Sequence, residues 1–231
     1  MRIAGLQKLT LLDYPGTVAC TVFTAGCNLR CPFCHNAPLV LPERNAPEQT
    51  VGEFMTFLKK RQGVLEGVAI TGGEPLLHAD IPEFLRDIRK LGYKIKLDTN
   101  GTNPKLLRQI VEEGLVDRVA MDIKTCPEKY AEATGVPGLD IGKIAESKDF
   151  LMSGAVDHEF RTTAVKGIHS LQDIADAAKW IAGAEEYYLQ QFKNSGDIID
   201  INGLSAFDEN EMHALADAAA EFVPSVKLRG I

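Results

Sequence analysis

The sequence predicts an α/β fold: a partial, open (β/α)6 TIM-like barrel, with a parallel sheet and helices packed outside it. Three observations predict it. Short β-branched runs alternate with longer stretches of helical apolar period about six times along the 231 residues, the pattern of parallel strands joined by crossover helices. Eight such units close a full barrel in typically ~250 residues, so six leave it open. Polar residues recur where the strand-like runs end, and parallel α/β proteins bind ligands at the carboxyl ends of their strands.

The elements follow in order. Residues 17–23 (Thr-Val-Ala-Cys-Thr-Val-Phe) read as a strand. Val51, Phe54, Met55 and Leu58 fall on one helix face. Residues 67–71 form a short buried strand. Asp80 caps the next helix, with Pro82 in its first turn, Glu83 at the capping-box position, and Ile81, Phe84, Leu85, Ile88 and Leu91 as its buried stripe. Residues 94–98 are a strand. Asn103 and Pro104 open a helix carrying Leu106, Leu107, Ile110 and Val111, which Gly114 stops. A strand at 118–123, a helix at 141–152 and a strand at 158–163 come next. Ser170 caps a helix with Leu171, Ile174, Ala178 and Ile181. Residues 186–191 are a strand, 207–222 a helix and 225–228 a last strand. Residues 36–50, with Pro38, Pro42 and Pro47, are expected as a loop on the working face, and 192–206 as a second. No repeat or linker interrupts the pattern, so a single domain over 1–231 is expected.

Composition narrows the function. Hydrophobic residues are 45% and charged residues 25%, which excludes a disordered or collagen-like chain. The net charge is −7 and no window is rich in Lys and Arg, so no nucleic-acid or anionic-membrane partner is expected. No apolar run approaches the ~20 residues of a membrane helix. Lys8 and Asp13 interrupt the start, where a secretory signal would be apolar. A cytoplasmic location is the expectation.

The five cysteines are Cys20, Cys27, Cys31, Cys34 and Cys126. An odd count without a signal does not describe a disulfide framework. Cys27, Cys31 and Cys34 have the pattern Cys-x3-Cys-x2-Cys. Structural zinc takes four ligands, usually from two Cys-x2-Cys knuckles; here there is one knuckle, and His35 is awkwardly placed beside Cys34. Inert thiols would not normally cluster in a loop flanked by Gly26, Asn28 and Pro32. An iron–sulfur cluster suits the three thiolates better. Four irons normally take four cysteines, so three leave one iron open to bind a substrate or cofactor.

Residues 24–36 (Thr-Ala-Gly-Cys-Asn-Leu-Arg-Cys-Pro-Phe-Cys-His-Asn) closely resemble the signature of radical S-adenosylmethionine (SAM) enzymes, with the aromatic Phe33 before the last cysteine. The resemblance implies a [4Fe–4S] cluster on Cys27, Cys31 and Cys34, whose fourth iron is chelated by SAM. Residues 71–75 (Thr-Gly-Gly-Glu-Pro) resemble the stretch that holds the SAM amino group, which assigns Gly72, Gly73 and Glu74 to SAM. Residues 98–101 and 122–124 resemble polar strand ends lining the same pocket. They contribute Asp98, Asn100, Asp122 and Lys124, and Arg161 offers a fork suited to carboxylate or ribose. The resemblance also admits a monovalent cation at the aspartates. No catalytic residue is assigned beyond cluster and SAM.

Residues 3–16 (Ile-Ala-Gly-Leu-Gln-Lys-Leu-Thr-Leu-Leu-Asp-Tyr-Pro-Gly) are similar to the start of one subgroup, the activating proteins of anaerobic ribonucleoside-triphosphate reductase, among the glycyl-radical-enzyme activases. That implies a 5′-deoxyadenosyl radical that generates a glycyl radical on a partner enzyme, with flavodoxin or ferredoxin as electron donor. The extra cysteine sets of activases with an inserted ferredoxin-like domain are missing, so one cluster is expected, and Cys126 matches no motif. Two rivals stand beside this reading: a radical SAM enzyme acting on a small molecule, such as a deazapurine synthase, and a non-catalytic metal-binding or redox-sensing module. His35 reads equally as a proton donor or a structural histidine. His78, His158, His169 and His213 read as structural or solvated, and Cys20 and Trp180 as core.

Overall fold

A computed structural model, describing residues 1–41 and 49–231, places eight strands in one sheet in sequence order. β1 (Ile3–Thr10) runs antiparallel to β2 (Ala19–Thr24). From β2 onward all neighbours are parallel: β3 (Gly67–Gly72), β4 (Lys94–Thr99), β5 (Arg118–Asp122), β6 (Asp157–Ala164), β7 (Tyr187–Gln191) and β8 (Val226–Arg229). The helices are α1 (Ala37–Val40), α2 (Val51–Arg61), α3 (Ile81–Lys90), α4 (Pro104–Glu112), α5 (Tyr130–Thr134), α6 (Ile141–Met152), α7 (Leu171–Trp180) and α8 (Glu209–Ala220). Among the described residues, no helix is long and apolar enough to cross a membrane.

The predicted parallel strands are all present. β1 carries no clear strand signal in the sequence. Its pairing with β2 shifts register between Ile3 and Gly5 and again between Gln7 and Thr10, and bulges of this kind destroy the period-2 signal. The stretch expected as a loop over 36–50 contains the four-residue α1; residues 42–48, with Pro42 and Pro47, lie outside the described residues. Asp80 does flank α3, but its side chain makes no cap bond and pairs instead with the amino group of Met1. α8 begins at Glu209 rather than 207 because Asp208 takes the cap, in a capping box with Glu211. Asn103 and Ser170 cap α4 and α7 as expected.

The two faces of the sheet differ in kind. Alternate residues of a strand point to opposite faces. Val22, Val68, Ile70, Ile95, Leu97, Val119, Met121, Phe160 and Leu189 form the outer set, packed with Leu85, Ile88, Leu107, Ile110, Leu151 and Ile174 from the helices. A closed barrel fills its inside with branched apolar side chains. Here the inner set from β4 to β8 is largely ionic. Lys96 pairs with Asp98 and lies 4.0 Å from Glu159. The wholly buried Glu159 takes Arg118 at 2.9 Å and Arg229 at 3.1 Å. A buried charge is tolerated when it is paired and hydrogen-bonded, and this column of alternating charge meets that condition up to the rim where the strands end.

Candidate functional site

A cleft of about 500 Å³ opens at the carboxyl ends of the parallel strands, a volume suited to a small-molecule ligand. Cys27, Cys31, Cys34 and Phe33 line it, and so do Gly72, Gly73, Glu74, Asp98, Asn100, Asp122, Lys124 and Arg161. The structure therefore gathers at one opening every site residue read from the sequence.

The cysteine loop follows β2 and is held from three sides. Ala25 N–H donates to Arg2 O at 3.0 Å, Arg30 N–H to Thr134 O at 2.8 Å at the end of α5, and Asp200 N–H to Pro32 O at 2.9 Å from the loop after β7. Leu29, Cys31 and Phe33 pack with Ala133, Val165 and Phe192. The Cys27 sulfur accepts from Leu29 N–H at 3.4 Å and from the Asn100 amide at 3.9 Å. Burial pushes the Cys27 thiol up to about 12 and the Cys31 thiol up to about 11. These thiols thus stay protonated at neutral pH until a metal replaces the proton.

Gly72 and Gly73 have a reason the sequence did not show. The resemblance assigns them to SAM. In the structure a Cβ on Gly73 would stand 1.9 Å from Gly26 O, and one on Gly72 would stand 2.2 Å from Thr24 N, with φ of +124° besides. The glycines admit the cysteine loop itself: Glu74 N–H donates to Gly26 O at 2.8 Å and Gly73 N–H to Thr24 O at 3.0 Å. Backbone cannot yield as a flexible side chain can. Gly73→Ala is therefore expected to lower unfolding free energy by about 3 kcal/mol, read from urea denaturation. Gly138→Ala, which meets nothing within 4 Å, is expected to stay within about 0.5 kcal/mol.

Glu74, which the resemblance assigns to SAM, is already engaged by the protein. It is buried, and both oxygens accept from the protein: Thr99 Oγ1 at 2.7 Å, Asn100 N–H at 2.7 Å and Leu76 N–H at 3.0 Å. Burial lifts its carboxyl to about 7 against the pull of those donors. It ties the end of β4 to the turn after β3 and so sets Asn100 beside Cys27.

Arg161 stands between two carboxylates. Its Nη1 donates to Asp98 at 3.0 Å, and its Nε and Nη2 reach Asp122 at 3.0 and 2.9 Å. Lys124 Nζ reaches the other Asp122 oxygen at 2.9 Å. Burial alone would raise both acids, but Arg161 and the lysines reverse that and hold them below the usual carboxylate range.

Other residues sort clearly. His169 accepts from Val165 N–H through Nδ1 at 3.0 Å and lies 2.8 Å from Lys124 O through Nε2, a structural histidine. His78 contacts Ala25 O at 3.0 Å. His35 lines the cleft and meets Phe192 edge-on, 5.1 Å between centroids, and burial lowers its pKa. Cys126 lies outside the cleft lining, buried against Asp173. Thr162 turns away to Ile123 O, whereas Thr163 lines the cleft. Asp13, Gln190, Lys193 and Ser195 also line it. Only the strand-end position of Gln190 signalled this in the sequence, because Asp13 and the residues after β7 arrive from loops without a periodic pattern.

The family model of the radical SAM superfamily matches residues 21–181. The chain belongs to the radical SAM superfamily. A Methanocaldococcus jannaschii protein whose name provisionally describes a glycyl-radical enzyme activating enzyme is 32% identical, over 99% of this chain and 96% of its own. The pyruvate formate-lyase-activating enzyme of Clostridium pasteurianum is 35% identical over 53% of this chain and 52% of its own. A Pyrococcus abyssi protein named as a probable GTP 3′,8-cyclase is 35% identical, but over 51% of this chain and 38% of its own. Among solved structures, Streptococcus suis SuiB bound to S-adenosylmethionine superposes with a TM-score of 0.70 at 15% identity, over 90% of this chain and 49% of that one. That likeness concerns the fold. The chain is thus an enzyme of the radical SAM class, related along its length to the glycyl-radical enzyme activases.

The residues present fit the group this family implies. Three soft thiol donors, one of them already accepting two N–H bonds, sit on one rim loop beside a cleft with room for a ligand, and N–H donors to the sulfurs are a recognised means of tuning such a cluster.

Proposed function

We propose that the protein is a glycyl-radical-enzyme activase with Cys27, Cys31 and Cys34 as ligands of one [4Fe–4S] cluster. The observation that carries the reading is that three thiols and the polar ends of β3 to β7 face a single open cleft. Bound there, the cluster and SAM would supply reductive cleavage of the sulfonium, with the electron coming from an external donor, and with it the removal of a hydrogen atom from a backbone glycine of the partner. The chain's own residues do the positioning. Gly73 and Gly26 lock the cysteine loop to β3, Glu74 sets Asn100 against Cys27, and Phe33 and Leu29 shield the thiols from water. Asp98, Asp122, Lys124 and Arg161 give the floor of the cleft fixed dipoles for SAM.

Charge supports a protein substrate over a nucleoside triphosphate. Lys124 and Arg161 are already neutralised by Asp98 and Asp122, so among the described lining residues Lys193 is the one lysine or arginine left without a partner. A triphosphate asks for several free cations. Because Arg161 already answers both aspartates, a monovalent cation is left out of the proposal. As partner we propose an anaerobic ribonucleoside-triphosphate reductase, on the resemblance of residues 3–16, with flavodoxin or ferredoxin as donor, in the cytoplasm.

The test is anaerobic. The protein is reconstituted with iron and sulfide, reduced with dithionite and given SAM. Methionine and 5′-deoxyadenosine are expected, followed by a glycyl-radical EPR signal on an added reductase. Zinc without sulfide would sink the reading, and conversion of a purine nucleotide without a partner radical would favour the small-molecule alternative.

A further inference from the structure

Three polar side chains close a hydrogen-bonded ring beside Cys27. Asn28 Nδ2 donates to Thr102 Oγ1 at 2.9 Å, Thr102 Oγ1 donates to Asn100 Oδ1 at 2.7 Å, and Asn100 Nδ2 donates to Asn28 Oδ1 at 3.0 Å. The ring joins the cysteine loop to the turn after β4. Its direction follows from one further bond. The Thr102 N–H, which can only donate, meets the same Asn100 atom at 3.0 Å, so that atom is the amide oxygen and the other is the NH2. The Thr102 hydroxyl gives its proton to that oxygen and therefore accepts from Asn28, which fixes the second amide too. The remaining N–H of Asn100 faces Cys27 Sγ at 3.9 Å. Among the described residues it is the one side-chain donor to the sulfurs of Cys27, Cys31 and Cys34.

Resting on the activase reading and its assignment of Cys27 as a cluster ligand, we infer that Asn28 and Thr102 are positioning residues that hold the Asn100 amide as a fixed N–H donor to the Cys27 sulfur, and that this donor raises the reduction potential of the cluster. Reduction adds negative charge to the cluster and its sulfurs, and an N–H aimed at one of them favours the reduced form. A free amide would turn its oxygen to the sulfur part of the time and lose that effect. Three features prevent the turn. Thr102 places two donors on one side of the amide. Asn100 is only 5% exposed, so water competes little for its groups. Its backbone N–H donates to the buried Glu74 at 2.7 Å, which anchors the chain beneath the side chain. The ring also bears on SAM, to which the resemblance assigns Asn100. An amide has two N–H donors and two lone pairs on its oxygen. Asn28 and Cys27 take the donors, and the two Thr102 groups fill the oxygen. The side chain has no bond left to offer, so it serves the cluster sulfur rather than SAM.

The test is an EPR-monitored redox titration of the reconstituted protein without SAM, with SAM affinity measured separately by calorimetry on the oxidised form. Asn100→Leu keeps the branched shape and removes the donor. At a fixed applied potential, its ratio of reduced to oxidised cluster is expected to fall about ten-fold, the worth of one hydrogen bond to a charged group. For a one-electron couple that is a potential about 59 mV lower. Thr102→Val keeps its shape and frees the amide, and is expected to lower the ratio about three-fold; it decides the matter where Asn100→Leu fails to fold. Both variants should bind SAM within about two-fold of wild type. A purely structural lesion would lower iron content and melting temperature and leave the potential of the remaining cluster where it was. Potentials that stay unmoved or rise in the folded variants would overturn this inference and leave the activase reading standing. SAM binding weakened about ten-fold or more at unchanged potential would make the amide a SAM ligand and overturn the inference as well. Wild-type protein that holds no cluster would overturn the activase reading, and this inference with it.

Discussion

Cys31→Ala is expected to leave a folded protein that retains almost no iron and cleaves no SAM above background. The thiol is buried among Leu29, Phe33, Ala133 and Phe192. Removing one sulfur from that packing costs on the order of 1 kcal/mol, which a domain of this size tolerates. The chemical loss is of another order, since a cluster held by two thiolates is not retained. Iron analysis after anaerobic reconstitution should fall from about four per chain to near zero, and 5′-deoxyadenosine with it. Cys126→Ala is the comparison, because that thiol lies outside the cleft lining beside Asp173; it should load iron as the wild type does. Equal iron in Cys31→Ala and wild type would remove Cys31 from the ligand set. The proton balance gives a second readout. With the Cys27 and Cys31 thiols raised to about 12 and about 11, the metal-free site is protonated, so loading releases protons and improves as pH rises from 6 to 8.5. A loading yield that falls over that range would contradict it.

How far the sequence could be read depended on the range of the signal. The parallel strands were legible because each is a short apolar run bounded by a capped helix, and both features lie within a dozen residues. β1 was not, because its two register shifts break alternation. At the site, the cysteines and the strand-end polar residues were legible because the fold sends every strand's carboxyl end to one rim. What those residues do to one another was not. The conflict between a Gly73 side chain and Gly26, the three donors that occupy Glu74, and the placement of Arg161 between Asp98 and Asp122 are contacts across 39 to 63 positions for the arginine alone. A lone strand-end arginine reads as a ligand; its partners show it as the counter-ion of two aspartates. Lys193 and Ser195 were invisible for the opposite reason, since a loop carries no period from which to infer where it points.

Arg161→Met is expected to lower the unfolding free energy at pH 7 by about 3–5 kcal/mol, the usual cost of leaving buried charges without their partner. The side chain is almost enclosed, and so is Asp98. Lys96 and Lys124 remain beside the two aspartates, but neither bridges them, and the like charges then face one another. The sign with pH separates this from a packing defect. In the wild type, burial pushes both carboxyls up and the bridging guanidinium, with the lysines, more than offsets it, so both end below their ordinary value. A depressed acid contributes stability above its unfolded pKa near 4 and loses it as pH falls through the folded value. In the variant only the lysines oppose the burial effect, so that contribution is much reduced at pH 7 and matters little once both groups are protonated. Urea midpoints at pH 7 and pH 3.5 should therefore differ widely between the two proteins at the higher pH and less at the lower, without converging, because wild-type aspartates held below their ordinary value are still ionised at pH 3.5. Arg161→Lys, which keeps the charge and loses the fork that reaches both acids at once, should fall between them. A deficit of the same size at both pH values would mean that the methionine disturbs packing and that the guanidinium does not hold the aspartates ionised.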